Sequence, residues 1–306
     1  MRRIAALLFA CLAAVAGAAR ACVDPGGIGG TGLRAETDLG ILGVVSAFAS
    51  ICVNGVEVHY DAATAVSLNG EPASPAQLAL GQVVLVRATG SGVQARARSI
   101  DIVAAAVGPV SMVDAASSTL EIQGRAVRVQ PTTVFGEGLP SASELRPGQT
   151  LRVSGLPAPD GSLIATRIDV AAGAKPMLLA RTPDLGPGRF VVQGYVSDVE
   201  PQGVRVGGIA FNAPPEISRE LQRDRLVRIS GRSEGERRIV ERADLLSRPL
   251  DIRPERRLQP ERRIRDSDDR RGGRVGRDDR SGRDDRSGRA ERPERIDRSG
   301  SNSGRR

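Results

Sequence analysis

The segment SICVNGVEVHYD, residues 50–61, gives the strongest indication of the fold in this sequence. Apolar and polar side chains alternate on both sides of Asn54-Gly55, a dipeptide typical of two-residue hairpin turns. Two related segments lie further along the chain, LEIQGRAV (residues 120–127) and VRVGGIAF (residues 204–211). Each of the three segments therefore predicts a half-buried β-hairpin.

The chain around these hairpins repeats itself loosely, at intervals of about 65 to 80 residues. A strand-like run that opens on Gly43, Gly108 or Gly194 precedes each hairpin, and in the first two copies helix-compatible pieces follow at residues 74–78 and 141–145. The second piece resembles a capping box, with Ser141 at the N-cap and Glu144 three residues later. Two further strand-like runs complete the first two copies, and residues 226–229 resemble the first of these runs in the third. Three strands, a short helix and two strands are the element order of an OB-like barrel.

The sequence thus predicts an all-β protein made of tandem small OB-like β-barrel repeats, each with a short helix, followed by a disordered tail rich in Arg and Asp. The third repeat is degenerate, with residues 216–223 as its candidate helix. The predicted segments are a signal peptide (1–21), a Gly-rich linker (22–39), repeat 1 (40–104), repeat 2 (105–173), a second linker (174–189), repeat 3 (190–246) and the tail (247–306).

The first 21 residues have the pattern of a secretory signal peptide. Arg2 and Arg3 precede an apolar run over residues 4–19, and Ala19-Arg20-Ala21 forms a small-residue cleavage site. The run is shorter than the roughly 18 to 20 residues of a membrane-spanning helix. We therefore expect an exported protein, periplasmic or at the cell surface, without a transmembrane span.

The glycines that follow this segment match the spacing of a dinucleotide-binding loop. Gly27, Gly29 and Gly32 spell G-x-G-x-x-G, but neither a buried strand before them nor a helix after them is predicted. We interpret the segment as a flexible linker, and we expect no cofactor.

Two cysteines remain after cleavage, Cys22 and Cys52. In an oxidising compartment the simplest prediction is a disulfide between them. Lipidation of Cys22 is a second interpretation, although the preceding Ala19-Arg20-Ala21 lacks the large aliphatic residue of a lipobox. Free thiols are the third.

The positive charge of the chain lies in its tail. The net charge is +8, of which residues 247–306 contribute +7 and the signal peptide +3, so that residues 22–246 carry −2. The tail contains no aromatic residue and repeats GRDDRS, which predicts disorder. Arginine forks suit phosphate and carboxylate groups, so an anionic envelope surface or partner is one candidate target. The interleaved aspartates weaken such attraction, and a solvated tail without a specific partner is the favoured alternative.

Few residues are suited to catalysis. The single histidine, His59, lacks the partners of a hydrolase triad or a zinc ribbon. In a strand, Glu57, His59 and Asp61 would share one face and could bind a divalent metal ion weakly, although a solvated strand face is the favoured interpretation. We predict no catalytic residues.

Nucleic-acid binding is also not favoured. Single-stranded nucleic acid is bound by bases stacking on aromatic side chains within a basic groove. After the signal peptide the chain has two Tyr, four Phe and no Trp, and residues 22–246 are slightly acidic. We therefore expect no nucleic-acid partner.

Three segments carry a resemblance to a known family. GGTG (residues 29–32), the hairpin at residues 50–61 and GQVVLVRATG (residues 81–90) resemble the bacterial envelope family catalogued as domain of unknown function 5666. The first two repeats resemble it well and the third weakly. The resemblance implies a secreted or envelope-attached protein built from small β-domains, and it implies no activity.

These observations together predict a non-catalytic, secreted or periplasmic protein that binds or scaffolds an unidentified partner in the bacterial cell envelope. The alternative is a periplasmic divalent-metal-binding protein that uses Glu57, His59 and Asp61. An enzyme is the third and least favoured class.

Overall fold

The computed structural model describes residues 22, 37–48, 50–90, 93–178 and 183–246. These residues form mostly β-strands, arranged in three successive barrels that we call barrel 1, barrel 2 and barrel 3. The predictions for the signal peptide, for the Gly-rich linker apart from Cys22 and residues 37–39, and for the tail lie outside the described residues.

Barrel 1 contains a ring of five strands and an added hairpin. Its strands are β1 (Thr37–Ala47), β2 (Ile51–Val53), β3 (Val56–His59), β4 (Ala65–Leu68), β5 (Glu71–Ala73), β6 (Val83–Gly90) and β7 (Gln94–Val103). β1 pairs antiparallel with β2 and β6, β2 pairs with β3, and β6 pairs with β7. β3 lies parallel to β7, which closes the ring in the order β1-β2-β3-β7-β6. The β4–β5 hairpin continues the pairing along β7 beyond the end of β3.

Barrel 2 has the same ring without the added hairpin. Its strands are β8 (Ala106–Asp114), β9 (Thr119–Ile122), β10 (Arg125–Phe135), β11 (Thr150–Pro157) and β12 (Leu163–Val170). They close in the order β8-β9-β10-β12-β11, and again the third and fifth ring strands are parallel. A two-residue strand, β13 (Met177–Leu178), then pairs antiparallel with the start of β8.

Barrel 3 closes as the first two do, although its sequence is degenerate. Its elements are β14 (Gly188–Glu200), β15 (Gly203–Val206), β16 (Ile209–Asn212), α1 (Pro215–Ser218), β17 (Leu226–Glu234) and β18 (Arg237–Leu245). The ring order is β14-β15-β16-β18-β17, with β16 parallel to β18 at a single register position. The predicted second linker is therefore partly strand, because it contains β13 and the start of β14.

The helical pieces are shorter than the sequence predicted. Single 3-10 turns occupy residues 75–77 and 142–144, and α1 is one turn rather than a helix over residues 216–223. The predicted capping box at Ser141 is wrong, because this side chain makes no capping hydrogen bond and instead lies 2.7 Å from the Ser143 hydroxyl. A capping box forms in the first copy, where Ser74 caps the turn and Gln77 bonds back to it.

Strand alternation places the apolar side chains inside the barrels. In the hairpin of residues 50–61 the inward side chains are fully or almost fully buried, namely Ile51, Val53, Val56 and Val58. Barrel 2 has an equivalent interior that includes Leu120, Ile122 and Val127. Burial of each such side chain stabilises the fold by about 1.5–3 kcal/mol.

Barrels 1 and 3 are joined by direct strand pairing. The N-terminal half of β1 runs parallel to the N-terminal half of β14, with Gly40 opposite Phe190 and Leu42 opposite Val192. Leu42 and Val44 belong to the same apolar cluster as Phe190 and Val192. The first strands of the first and third barrels therefore share both a sheet and a core.

Candidate functional site

The predicted metal-binding face of barrel 1 begins with Glu57 and His59 on β3. The Glu57 carboxylate accepts hydrogen bonds from the Ser50 hydroxyl at 2.7 Å and from Gln94 Nε2 at 3.4 Å. The Ser50 hydrogen bond is the main reason that the pKa of Glu57 lies below its ordinary value. His59 Nε2 lies 3.9 Å from Glu57 Oε1. These two side chains are neighbours, as the alternation predicted.

Asp61 does not join this pair, because β3 ends at His59. Its carboxylate accepts hydrogen bonds from the Ala63 backbone at 3.0 Å and from Thr64 Oγ1 at 3.2 Å, which caps a turn, and it faces Arg96 Nη1 at 3.9 Å. The row of three ligands expected from an uninterrupted strand is therefore not formed. Within the described ranges, no three His, Cys, Asp or Glu side chains are grouped so that they could hold a metal ion.

The second predicted pair of residues is bonded. Cys22 and Cys52 form a disulfide, with their Cα atoms 5.4 Å apart. Cys52 lies on β2 opposite Glu57 and is almost fully buried. The bridge therefore attaches residue 22 to the outer face of the barrel 1 hairpin.

The described residues also contain an arrangement that the sequence analysis missed, at the glycine that opens each repeat. A Cβ atom at Gly43 would overlap the side-chain amide of Asn54, and one at Gly108 would overlap that of Gln123. In barrel 3, a Cβ at Gly194 would meet the backbone of Gly207, 2.7 Å from its nitrogen. In each barrel, therefore, the first strand lacks a side chain where the β-hairpin turn folds over it. The shared place of these glycines, at the opening of the strand-like run before each hairpin, could have revealed the feature.

Asn54 connects barrel 1 to barrel 3 through this arrangement. Its Nδ2 donates hydrogen bonds to the carbonyl of Leu42 at 2.9 Å and to that of Val191 at 3.4 Å, one on each of the two paired first strands. From the other side, Gln193 Oε1 accepts a hydrogen bond from the Val44 backbone at 3.4 Å. The side-chain amides of Asn54 and Gln193 thus bond to the backbone at the end of the β1–β14 seam, the paired residues 39–42 and 189–192.

Arginine side chains connect the barrels at two further points. Arg167 Nη1 of barrel 2 donates a hydrogen bond to the carbonyl of Leu80 in barrel 1 at 3.1 Å, and Arg167 Nε donates one to the carboxylate of Asp169 at 2.9 Å. Arg228 of barrel 3 donates to the carbonyl of Asn54 at 3.2 Å. Guanidinium groups offer several donors in a fixed plane, so one side chain can serve both its own barrel and a neighbour.

Barrel 2 also contacts barrel 3, at Tyr195. This side chain on β14 forms a hydrogen bond with Gln130 of barrel 2, and burial raises the pKa of its hydroxyl above the ordinary value. The three barrels therefore contact one another pairwise. No helix among the described residues is long and apolar enough to span a membrane.

Comparisons with known proteins find a family model that matches the first two barrels. The model of the family Domain of unknown function (DUF5666) matches twice, at residues 42–101 and 107–169. A search of curated proteins finds no match. Among solved structures, a deletion mutant of the single-stranded DNA-binding protein from Thermus aquaticus is 16% identical over 57% of this chain and 87% of that chain, with a TM-score of 0.16. A TM-score this low carries no argument about fold or ligand.

Proposed function

We propose that the protein is a non-catalytic binding or scaffolding protein of the bacterial cell envelope, built from three OB-like barrels. The two matches to the DUF5666 family model, at residues 42–101 and 107–169, support a tandem repeat. Five-stranded ring closure and a short helical turn between the third and fourth ring strands support the OB-like assignment. Barrel 3 has the same ring and the same first-strand glycine, which supports counting it as a third copy.

The observation that carries the proposal is the connection of the three barrels into one block. β1 and β14 share a sheet, and Asn54, Arg167 and Arg228 bond across barrel boundaries. A block of this kind holds its loops at fixed relative positions, which suits the presentation of several contacts to one partner. A protein whose domains each bind a separate partner would gain less from fixed positions of its loops.

The Cys22–Cys52 disulfide supports export, because disulfides persist in oxidising compartments and are rare in the cytosol. Mass spectrometry of the protein isolated from its native cell tests this point. We expect a mature chain that begins at Cys22, carries no lipid and has no free thiol. A chain that retains residues 1–21, or one with a lipid on Cys22, would contradict the proposed processing.

Partner capture tests the scaffolding role. The full-length protein and a variant that stops at Leu246 are cross-linked in the native envelope, and the captured partners are compared. Partners retained by the shorter variant would assign binding to the barrels. Partners lost when residues 247–306 are removed would assign binding to the tail, and the barrels would then serve only to anchor it. Capture of no partner above a level set by an unrelated exported protein would contradict the proposal.

A further inference from the structure

A cavity of about 330 Å³ lies at barrel 3, between the segment that leads into β14 and the hairpin turn that joins β17 to β18. This volume is within the range of pockets that bind small molecules. It is lined by Asp184, Gly186, Pro187, Ser233, Gly235 and Arg238. The two sides belong to different parts of the chain, and they meet because the start of β14 pairs with β17, which pairs in turn with β18.

The carboxylate in this cavity is already paired. Asp184 accepts hydrogen bonds from the Gly186 backbone at 2.9 Å and from Arg87 of barrel 1 at 2.8 Å. These two donors hold the pKa of Asp184 below its ordinary value. Asp184 is thus an anion whose charge Arg87 neutralises, and its role is to fix one wall of the cavity.

Two hydrogen-bond donors on the opposite wall have no such partner. Ser233 Oγ is buried and makes no hydrogen bond. Arg238 is half-buried and hydrogen-bonds to no other described residue, although it is attracted electrostatically to Asp184. A buried hydroxyl without a partner is unusual in native proteins and calls for an explanation, such as a bound ion or water molecule.

The turn beside these donors leaves room for a ligand. Gly235 has φ of +61°, and a Cβ atom at this position would meet no other atom within 4 Å. The neighbouring acidic side chain, Glu234, is paired with Arg232 and so does not occupy Arg238. The free donors of the cavity therefore carry one net positive charge.

We propose that this cavity binds the oxyanion of a small molecule, a carboxylate or a phosphate group, through the Arg238 guanidinium and the Ser233 hydroxyl. A guanidinium presents parallel N–H groups that match two oxygens of either anion, and hydrogen bonds to a charged acceptor are stronger than neutral ones. This site is independent of the envelope partner, because it needs only barrel 3, the segment that precedes it and Arg87.

The test uses the full-length protein, with inorganic phosphate and succinate as separate probes. Binding is followed by the NMR shifts of the Ser233 and Gly235 amides, because the arginines of the tail would also attract phosphate and would add to any bulk signal. We expect at least one probe to shift both amides in a saturable way, and the probe that does so distinguishes phosphate from carboxylate. No saturable shift with either probe at millimolar concentration would overturn the proposal.

Three variants separate the site from general electrostatics. Arg238→Gln should weaken the binding about tenfold or more, and Ser233→Ala should weaken it by a smaller factor. The matched control is Arg237→Gln, which removes the same charge from the next residue, an exposed one that does not line the cavity. An equal loss in Arg237→Gln and Arg238→Gln would overturn the assignment, and unchanged amide shifts elsewhere confirm that each variant is folded.

Discussion

At the scale of single residues, the contact between Gly43 and Asn54 links the interior of one barrel to the seam between two. A methyl group at Gly43 would displace the Asn54 amide, which bridges Leu42 and Val191. Displacement would leave buried carbonyl groups without donors, which costs about 1–3 kcal/mol for each group. The same residue thus affects local packing and the assembly of the barrels.

We therefore predict that Gly43→Ala lowers the free energy of unfolding by about 1–3 kcal/mol. Gly203→Ala is the matched control, because a Cβ there would make only ordinary contacts, the nearest at 3.5 Å. In an Asn54→Gly background the cost of Gly43→Ala should shrink, because the atoms that a Cβ at residue 43 would overlap all belong to the Asn54 side chain. Denaturant unfolding of the four proteins measures this coupling. Equal costs in both backgrounds would show that Asn54 is not the obstacle.

Glu57 gives a prediction about pH. Its carboxylate pKa is lowered mainly by the Ser50 hydroxyl, so the charged form is stabilised in the folded protein. The stability that this contact contributes is present above the ordinary glutamate pKa and is lost as the pH falls through the lowered value. In Ser50→Ala the pKa of Glu57, followed by NMR titration, should rise toward its ordinary value. A pKa that is unchanged in Ser50→Ala would contradict this account, and a Thr64→Ala variant, which alters Asp61 instead, is the control.

At the scale of elements, β13 covers an edge that the other barrels use for pairing. The residues just before Gly43 and Gly194 pair with each other in β1 and β14, whereas the residues just before Gly108 pair with β13. Unpaired strand edges invite association with other chains. The two residues of β13 therefore act as a cap on barrel 2.

Met177→Pro should remove this cap, because proline has no backbone N–H to donate to β8. We expect faster hydrogen exchange at Val107 and concentration-dependent self-association in light scattering. Met177→Ala, which keeps the backbone donor, should remain as monodisperse as the unmodified protein. If both variants behave like the unmodified protein, the cap has no role in solubility.

The disulfide is the second element-scale feature with a measurable contribution. It joins Cys22 and Cys52, which are 30 residues apart in the sequence. A disulfide across such a loop stabilises the folded protein by about 2–4 kcal/mol, because it lowers the conformational entropy of the unfolded chain. Cys52→Ser should lower the free energy of unfolding by this amount under oxidising conditions. A reducing agent should produce the same loss in the unmodified protein and none in the variant. An additional loss in the reduced variant would point to another cause.

At the scale of the whole molecule, we predict that the barrels unfold together. The chain has two tyrosines and no tryptophan, and Tyr60 lies by the core of barrel 1 while Tyr195 packs in barrel 3. Tyrosine fluorescence of Tyr195→Phe therefore reports barrel 1, and that of Tyr60→Phe reports barrel 3. Coincident denaturant midpoints, after correction for the stability of each variant, are expected for one cooperative unit. Two separate transitions would show that the β1–β14 seam does not couple the barrels.

The sequence was sufficient to predict features that depend on neighbouring residues. Alternation around Asn54-Gly55 predicted the hairpin, and the cysteine count predicted the pair that is bonded. The row of Glu57, His59 and Asp61 was not formed, because the Asp61 carboxylate caps its own turn and β3 ends two residues earlier. Alternation describes which face a residue has within a strand, but it does not say where the strand stops.

Features that join distant residues could not be predicted in this way. Leu42 pairs with Val192 along the N-terminal halves of β1 and β14. The alternation of apolar and polar residues within either strand does not indicate which other strand it will pair with. Likewise, the cavity between Asp184 and Arg238 forms only where a loop and a hairpin turn meet in space. The degenerate third copy closed because strand register and burial tolerate much sequence variation, provided that inward positions stay apolar.

The pairing of β1 with β14 has a consequence for the time at which the protein becomes complete. Gly40 pairs with Phe190, so about 150 residues must be added after β1 before its partner strand exists. At about 5–20 residues per second, the ribosome needs on the order of 8 to 30 seconds for that interval. Barrel 1 can form its ring within this time, with the first half of β1 paired to β6 on one edge, but its other edge stays unpaired until β14 is made. The nascent chain thus exposes an unpaired strand edge until β14 of the last barrel has been synthesised. Binding by a chaperone would protect the chain from aggregation most during this interval.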